Sequence, residues 1–184
     1  ERIGAGVDRL YDEVDGSFPN HHPDPTVDEY VVDLRNRVVE TKVELGIGLD
    51  GDCDRIGAVD STGRLVRGDQ LTAIFARDQL TRTPGERILL HVKSSLALEE
   101  DIRAHGGKPF MWKTGHSHAK LKMKEEGIPL GGEMSGHLFF FHHYWGLDDA
   151  ICAACRVCRR HSCRKDASTS TTSTPCTRPT GTAW

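Results

Sequence analysis

From residue 87 onward, short apolar runs alternate with segments of helical periodicity, and this alternation limits the possible folds more than any other feature of the chain. The runs are short enough to be buried strands, while Gly and Ser residues mark where the intervening helices begin and end. The predicted order is strand 87–92, helix 96–105, strand 109–112, helix 117–126, strand 138–141 and a last helix from Asp148 or Asp149 to Val157. This order predicts an α/β fold in which a mixed, mainly parallel sheet is layered with helices.

Before residue 87 the pattern predicts helices and a β-hairpin around a Pro-rich loop. The Pro residues of 15–25 exclude a helix or a central strand there. Apolar residues at helical spacing predict a helix over 27–40, and Asp69 as an N-cap predicts another that runs to Leu80. The remaining elements are a helix or part of one at 3–10 and strands at 45–49, 56–59 and 64–66.

An acidic loop, Asp50-Gly51-Asp52-Cys53-Asp54-Arg55, directly follows the predicted strand 45–49. Its three carboxylates alternate along the chain, so three hard oxygen ligands can converge on one small cation. Mg²⁺ prefers such ligands and keeps positions open for phosphate. Arg55 adds a cation suited to a bidentate hold on phosphate. The loop therefore indicates a magnesium site formed by Asp50, Asp52 and Asp54, with Arg55 beside it.

The acidic loop has two other possible interpretations. Asp-Gly-Asp is common turn chemistry, so a plain acidic turn remains an alternative for the loop taken alone. An EF-hand requires Gly at position 6 and Glu at position 12, but counting from Asp50 these positions hold Arg55 and Ser61. The EF-hand is therefore excluded. Cys53 is expected to be a buried or edge thiol, because soft sulfur does not suit Mg²⁺.

The distribution of charged residues and of cysteines limits the kinds of binding partner and the cellular compartment that the sequence favours. Residues 1–150 carry 18 Lys and Arg against 26 Asp and Glu, which argues against nucleic acid as the main partner. No apolar run approaches the ~20 residues of a membrane span, and no signal peptide is evident. Cys53 is the only cysteine before residue 152, which favours a reducing cytoplasm.

The C-terminal segment differs in composition from the rest of the chain. Residues 151–184 carry 6 Lys and Arg against one acid, and 10 of the residues 167–184 are Ser or Thr. Such a stretch buries little apolar surface, so 159–184 is predicted to be a disordered, low-complexity basic tail. Its cysteines also suggest an alternative, a small zinc or iron–sulfur module, because they approach a ferredoxin-type spacing. The cysteines concerned are Cys152, Cys155, Cys158 and Cys163.

Four motifs together resemble the α-D-phosphohexomutases, in particular the bacterial phosphomannomutase/phosphoglucomutase group. They occur in the family order and with family-like spacing over roughly residues 10–157. They are the Pro-rich stretch from Phe18 to Pro25, the acidic loop from Asp50 to Arg55, the stretch from Lys113 to Ser117, and Gly132-Glu133-Met134-Ser135-Gly136-His137, after which Gly146-Leu147-Asp148-Asp149 follows.

This resemblance implies an enzyme that interconverts hexose 1-phosphates and hexose 6-phosphates through a phosphoserine and a bisphosphate intermediate. It implies Mg²⁺ at the acidic loop and contacts from Glu133, Ser135 and His137 to the sugar, of mannose or glucose phosphates. Arg55, Lys93 and His116 are the implied catalytic residues, for phosphate binding, substrate orientation or proton transfer. A helix cap at His116 and a loop-capping acid at Glu133 remain the structural alternatives.

The chain also departs from the family pattern. The family's phosphoserine lies in a Ser-His-Asn-Pro-type loop that does not occur here, so the chain alone is expected to be inactive. Cys53 stands where the family usually has Gly. The chain is expected to be a fragment, with the end of the second family domain at 1–64 and most of the third at 65–158. The tail after about Val157 is expected to derive from a shifted reading frame or a chimeric gene.

Overall fold

The computed structural model describes residues 5–142 and 144–169, and it describes side chains as far as Arg159. A short 3₁₀ turn at Asp28–Val31 leads into the first α-helix. The helices are α1 Val32–Thr41, α2 Gly68–Arg82, α3 Leu96–Ala104, α4 His116–Glu126 and α5 Ala150–Thr169. The strands are β1 Leu45–Leu49, β2 Ile56–Asp60, β3 Leu65–Val66, β4 Arg87–His91, β5 Lys108–Trp112, β6 Leu130–Gly132 and β7 Leu138–Phe140.

The strands form two sheets. The first is antiparallel, with the order β1-β2-β3, and Leu49 at the end of β1 pairs with Ile56 at the start of β2. The second has the order β5-β4-β6-β7, in which β4 pairs in parallel with both β5 and β6, and β7 runs antiparallel to β6. The second sheet is therefore mixed and mainly parallel, which confirms the predicted fold class.

Helices cover both faces of the second sheet because its strand residues alternate between two apolar surfaces. Ile88 and Leu90 of β4 pack with residues of α2, α3 and α5, whereas Leu89 packs with Ala119 and Met123 of α4. The larger core also includes Ile56 and Ala58 of β2, so one continuous apolar cluster joins the two sheets. This shared core brings the β1–β2 loop to the edge of the second sheet.

Several element boundaries differ from the sequence-based expectations. β6 was not predicted, because Leu-Gly-Gly is short and lacks the β-branched or aromatic residues that mark a strand. Asp69 is not the N-cap of α2, since the helix begins at Gly68; instead its buried carboxylate accepts a hydrogen bond from the backbone N–H of Ser95 at 3.2 Å. Residues 5–10 contain no helix.

α5 extends beyond Val157, where the last helix was expected to end. Asp149 precedes it, and its Oδ1 accepts the Cys152 N–H at 2.8 Å, so the predicted opening of this helix at Asp148 or Asp149 is confirmed. No Pro or Gly interrupts the chain between Val157 and Thr169, which allows the helix to continue through the Cys- and Arg-rich segment. The remainder of the predicted tail, 170–184, lies outside the described residues.

No helix in the described part of the chain is both long and apolar enough to cross a membrane.

Candidate active site

Asp50 organises the acidic loop from within. Its side chain is almost fully buried, and Oδ1 accepts the backbone N–H groups of Asp54 and Arg55, both at 3.0 Å. Its Oδ2 accepts Arg55 Nε–H at 2.7 Å. Burial alone would raise the pKa of Asp50, but these hydrogen bonds outweigh it and lower the pKa below its ordinary value. The carboxylate therefore stays charged and holds the loop closed.

Arg55 is fixed between two acids. Its Nε contacts Asp50, and its Nη1 donates to Asp24 Oδ2 at 3.0 Å. Asp24 comes from the Pro-rich loop, so Arg55 ties that loop to the acidic loop. The guanidinium is about a quarter exposed, so it remains accessible to an anion while its orientation is fixed.

Asp50, Asp52 and Asp54 converge as predicted. One oxygen from each of these side chains lies within 4.8 Å of the others. Asp52 is exposed, and burial together with the Asp50 charge raises the pKa of Asp54. All three donors are hard carboxylate oxygens, and a carboxylate oxygen that already accepts a hydrogen bond still has a free lone pair. The donor set therefore fits a Mg²⁺-type cation with further positions left for water or phosphate.

Cys53 has a left-handed backbone with φ of +61°. Its N–H donates to the Asp50 carbonyl at 3.3 Å, closing the turn. This conformation favours Gly, which accounts for the Gly that the resembling family usually has there. The Cys53 carbonyl in turn accepts the Ala150 N–H at 3.0 Å, so the loop is joined to the start of α5.

The segment Glu133–His137 forms a tight turn between β6 and β7. The Glu133 N–H donates to the His137 carbonyl at 2.9 Å, and Gly136 adopts φ of +94°. The Gly136 carbonyl accepts the Ile56 N–H at 3.2 Å. Arg55 and His137 also form an isolated antiparallel bridge. The acidic loop and the Glu133 turn are therefore joined through their backbones.

Glu133 is buried at 5% exposure and is only partly satisfied. Its Oε2 accepts Ser135 Oγ–H at 3.2 Å, while Oε1 is buried and has no hydrogen-bond partner among the described residues. A buried carboxylate oxygen without a partner is costly, and such atoms are usually completed by a ligand or by ordered water.

Asp148 contacts three basic side chains of the site. Its Oδ2 lies 2.6 Å from His116 Nδ1 and 3.3 Å from His137 Nδ1, and its Oδ1 accepts Lys120 Nζ at 2.7 Å. Burial would raise the pKa of Asp148, but the contacts from His137, Lys120 and His116 lower it far more. Burial would likewise lower the pKa of His137, yet Asp148, Asp54 and Glu133 raise it.

A row of polar side chains lies along the carboxyl edge of the second sheet. Trp112 pairs with His91 in the β5–β4 register. Extending the β4–β6 register by one residue places Glu133 beside His91. His137 follows in the row, because its carbonyl accepts the Glu133 N–H. Paired residues share a sheet face, here that of Leu89 and α4. Every buried side-chain polar atom without a partner in the described part of the chain belongs to this row or to Ser94, in the turn after β4.

The structure thus brings most of the predicted site residues together, although their roles stay predictions. His116, Glu133, Ser135 and His137 lie at the same edge as the acidic loop. Lys93 extends from the turn after β4 with an exposed side chain and makes no ion pair with the described residues. Sequence reasoning missed Asp24, His91, Trp112, Lys120 and Asp148 as parts of the site. Asp24 and Asp148 lie within motifs that carry the family resemblance, and the position of His91 and Trp112 at the ends of two strands could have indicated those two residues.

The alternative cysteine module is not supported. Cys152, Cys155 and Cys158 lie along one helix, α5. Of the side chains that the structure describes, neither group that could hold a metal ion includes a cysteine.

Comparison with known proteins points in the same direction as the geometry. The sequence profile of phosphoglucomutase/phosphomannomutase, alpha/beta/alpha domain II matches residues 1–63, and that of domain III matches residues 67–174. A Pseudomonas aeruginosa phosphomannomutase/phosphoglucomutase is 48% identical over 157 residues, covering 85% of this chain and 34% of that protein. A Neisseria gonorrhoeae phosphoglucomutase is 43% identical over 155 residues, covering 84% of this chain and 34% of its own length.

A solved structure shows the same similarity in three dimensions. The phosphoglucomutase/phosphomannomutase family protein from Burkholderia thailandensis superposes with a TM-score of 0.79 at 43% identity, covering 82% of this chain and 33% of that one. The chain therefore spans about a third of the length of the curated relatives it matches.

Proposed function

Because the chain belongs to the phosphoglucomutase/phosphomannomutase family, we propose that it carries the metal loop and the sugar-binding loop of a phosphohexomutase. The proposed reaction is the reversible conversion of hexose 1-phosphate and hexose 6-phosphate through a phosphoserine and a bisphosphate. The sequence contains no Ser-His-Asn-Pro motif, so we expect no turnover from this chain alone.

The observation that carries the proposal is the buried, unpartnered Oε1 of Glu133. The oxygen lies in a turn whose Ser135 hydroxyl already contacts the same carboxylate. A carboxylate and a hydroxyl side by side can accept from and donate to neighbouring sugar hydroxyls. We therefore propose that Glu133, Ser135 and His137 bind the hexose.

The acidic loop supplies the phosphate side of the proposed site. Asp50, Asp52 and Asp54 would hold Mg²⁺, which when bound neutralises phosphate charge and thereby assists phosphoryl transfer. Arg55, held by Asp24 and Asp50, offers a fixed guanidinium to the same phosphate. Fixed charges of this kind need little reorganisation during the reaction.

His116 and Lys93 are proposed to act on the sugar side. His116 begins α4, its ring is stacked on His137 with centroids 5.1 Å apart, and Asp148 fixes its Nδ1. This orientation leaves Nε2 as the ring nitrogen for contact with substrate or for proton transfer. The exposed Lys93 is proposed to orient the substrate from the turn after β4.

The division of the chain is proposed to follow the family domains. Residues 1–64 would form the C-terminal part of the second domain with the metal loop, and 65–158 the third domain with the sugar loop. The tail proposed for 159–184 begins within α5, which continues to Thr169, and the domain III match runs on to residue 174. The two profile matches meet between residues 63 and 67, which supports the first of these boundaries.

Calorimetry with glucose 1-phosphate or mannose 1-phosphate in the presence of Mg²⁺ tests the sugar assignment. Glu133→Ala should weaken binding by about 1–3 kcal/mol, because a buried sugar hydroxyl would lose its acceptor. Thermal stability should change little, since Glu133 makes one side-chain hydrogen bond in the folded chain.

The same substitution at the exposed Glu100 is the matched control and should leave binding unchanged. If Glu133→Ala instead unfolds the protein, or binds the sugar phosphate as tightly as the parent chain, Glu133 is structural and the sugar assignment is wrong.

Mg²⁺ titration tests the loop separately. Asp52→Asn should weaken Mg²⁺ binding. Asp12→Asn should not, because Asp12 is an exposed acid that lies outside the acidic loop. Equal affinities for the two variants would remove the loop from the proposed function.

A further inference from the structure

We propose that Asp54, His116, His137 and Asp148 form a second divalent-cation site, one that binds a transition metal such as Zn²⁺ in preference to Mg²⁺. The site is distinct from the three-carboxylate loop but shares Asp54 with it. Each of the four side chains offers one donor atom, and these atoms lie within 4.8 Å of one another.

The spacing of the donor atoms is compatible with one shared ion. His137 Nδ1 lies 3.3 Å from Asp148 Oδ2 and 3.7 Å from Asp54 Oδ2. Ligands at about 2.0–2.2 Å from a tetrahedral Zn²⁺ are separated by roughly these distances. The shorter contact of 2.6 Å between His116 Nδ1 and Asp148 Oδ2 is a hydrogen bond that the ion would replace.

His137 provides independent support for a ligand. Its Nδ1 is buried and makes no hydrogen bond with any described residue, even though two carboxylates lie nearby. Its ring is held in place by stacking on His116 and on Phe139, with centroids 5.1 and 6.4 Å away. A fixed imidazole nitrogen that faces the carboxylates of Asp148 and Asp54 at 3.3 and 3.7 Å without a well-aligned hydrogen bond to either is suited to share a cation with them.

The donor set selects the class of metal. Two imidazole nitrogens and two carboxylate oxygens suit Zn²⁺ and its neighbours, whereas Mg²⁺ favours oxygen alone. Lys120 Nζ holds Asp148 through Oδ1, which leaves Oδ2 directed at the two histidines. Such outer contacts orient ligands in known metal sites.

Asp54 links this cluster to the acidic loop. Its Oδ2 faces His137 at 3.7 Å, while its Oδ1 lies 3.8 Å from Arg55 Nε. A transition metal in the cluster would therefore compete with Mg²⁺ for Asp54 and would occupy both imidazoles. The expectation that this metal inhibits phosphosugar chemistry rests on the proposed function. The proposed binding of the metal to the four side chains does not depend on that function.

Co²⁺ is the probe for the test, because four-coordinate Co²⁺ has a strong visible d–d absorption. The full chain should develop this absorption, and stoichiometric Zn²⁺ should abolish it while a large excess of Mg²⁺ should not. His116→Asn and His137→Asn should each reduce Co²⁺ affinity by tenfold or more. The exposed His118 provides the matched control, and His118→Asn should behave as the parent chain does.

Two further measurements keep the result independent of variant folding and of the cysteines. In the unaltered chain, Zn²⁺ should protect His116 and His137, but not His118, from diethyl pyrocarbonate. Replacing all cysteines after residue 151 by Ser should leave the Co²⁺ spectrum unchanged and free of sulfur-to-metal charge transfer. A spectrum that depends on those cysteines, equal protection of His118, or Mg²⁺ binding as tight as Zn²⁺ binding would overturn the proposal.

Discussion

At the residue scale, the acidic loop depends on interactions that its composition alone does not reveal. The carboxylate of Asp50 accepts hydrogen bonds from Arg55 and from two backbone N–H groups. Asp50 therefore stabilises the conformation of the loop as well as offering a metal ligand. Cys53 completes the turn in a left-handed conformation that an L-residue adopts at a cost of roughly 1–2 kcal/mol. Local strain and local charge are therefore concentrated in the same six residues.

Replacement of Cys53 tests this strain. Cys53→Gly and Cys53→Ala remove the same sulfur atom and differ only in Cβ. The Gly variant should be more stable by about 0.5–1 kcal/mol, because relief of the left-handed strain exceeds the extra entropy of the unfolded Gly chain. Urea denaturation measures the difference. An Ala variant as stable as the Gly variant would show that position 53 is unstrained.

Tyr144 provides a pH-dependent test near the start of α5. Its hydroxyl donates to Asp149, and this hydrogen bond, with burial and the nearby charge adding to it, raises the pKa of Tyr144 from 10 to about 12. A raised folded-state pKa means that the stabilisation is complete below pH 10 and is lost as the pH rises toward 12.

Ultraviolet titration of tyrosine ionisation measures this directly. The difference between the parent chain and Tyr144→Phe should have its midpoint at about pH 12, and Tyr11→Phe should leave that phase in place. A difference curve centred at pH 10 would show that the contact with Asp149 does not persist in solution.

At the element scale, the start of α2 supports the Glu133–His137 turn. A Cβ on Gly68 would lie 2.3 Å from the Glu133 carbonyl oxygen and 2.9 Å from Gly136 N. Gly68 therefore allows the helix to approach the backbone of the Glu133 turn. The same helix is tied to the Pro-rich loop, because Arg67 Nη1 donates to the Thr26 carbonyl at 2.9 Å.

Gly68→Ala should displace the Glu133 turn. We expect a loss of about 1–3 kcal/mol in stability, as in other overpacked positions, and weaker sugar-phosphate binding. Gly16→Ala is the control, because a Cβ at Gly16 meets nothing within 4 Å. Thermal melts with calorimetry compare the two variants. Equal stability and binding in both would mean that α2 does not position the turn.

The elements also show what the sequence could predict. β1, β2, β4 and β5 are apolar runs bounded by turn residues, and their predicted positions agree with the structure to within one residue. β6 was not predicted, because Gly131 and Gly132 are not typical strand residues. Its extended conformation is stabilised by pairing with β4 and β7. Neighbours that are remote in sequence, rather than local periodicity, determine such a strand.

The candidate site likewise has features that the sequence predicts and features that only the fold reveals. Its motif residues could be identified because short spacings place them on single loops. The contact of Asp148 with His116, 32 residues away, and the alignment of His91 with Glu133 depend on strand register and helix packing. No short sequence pattern encodes those distances, so these contacts emerged only from the fold.

At the scale of the whole molecule, the candidate site lies where the two sheets meet. The apolar cluster shared by β2, α2, β4 and α5 holds the acidic loop against the Glu133 turn, so packing rather than a linker sets the distance between the proposed metal-binding residues and the proposed sugar-binding residues. The central claim is that these two loops together bind one phosphosugar.

Two-dimensional amide NMR of the ¹⁵N-labelled chain, titrated with glucose 1,6-bisphosphate in the presence of Mg²⁺, tests that claim most directly. The account predicts saturable shifts confined to the loop 50–55, the turn 132–137 and the neighbouring residues 113–117, with the same affinity at each. Shifts at only one loop, different affinities at the two loops, or shifts centred on α1 or on the exposed face of α3 would contradict it.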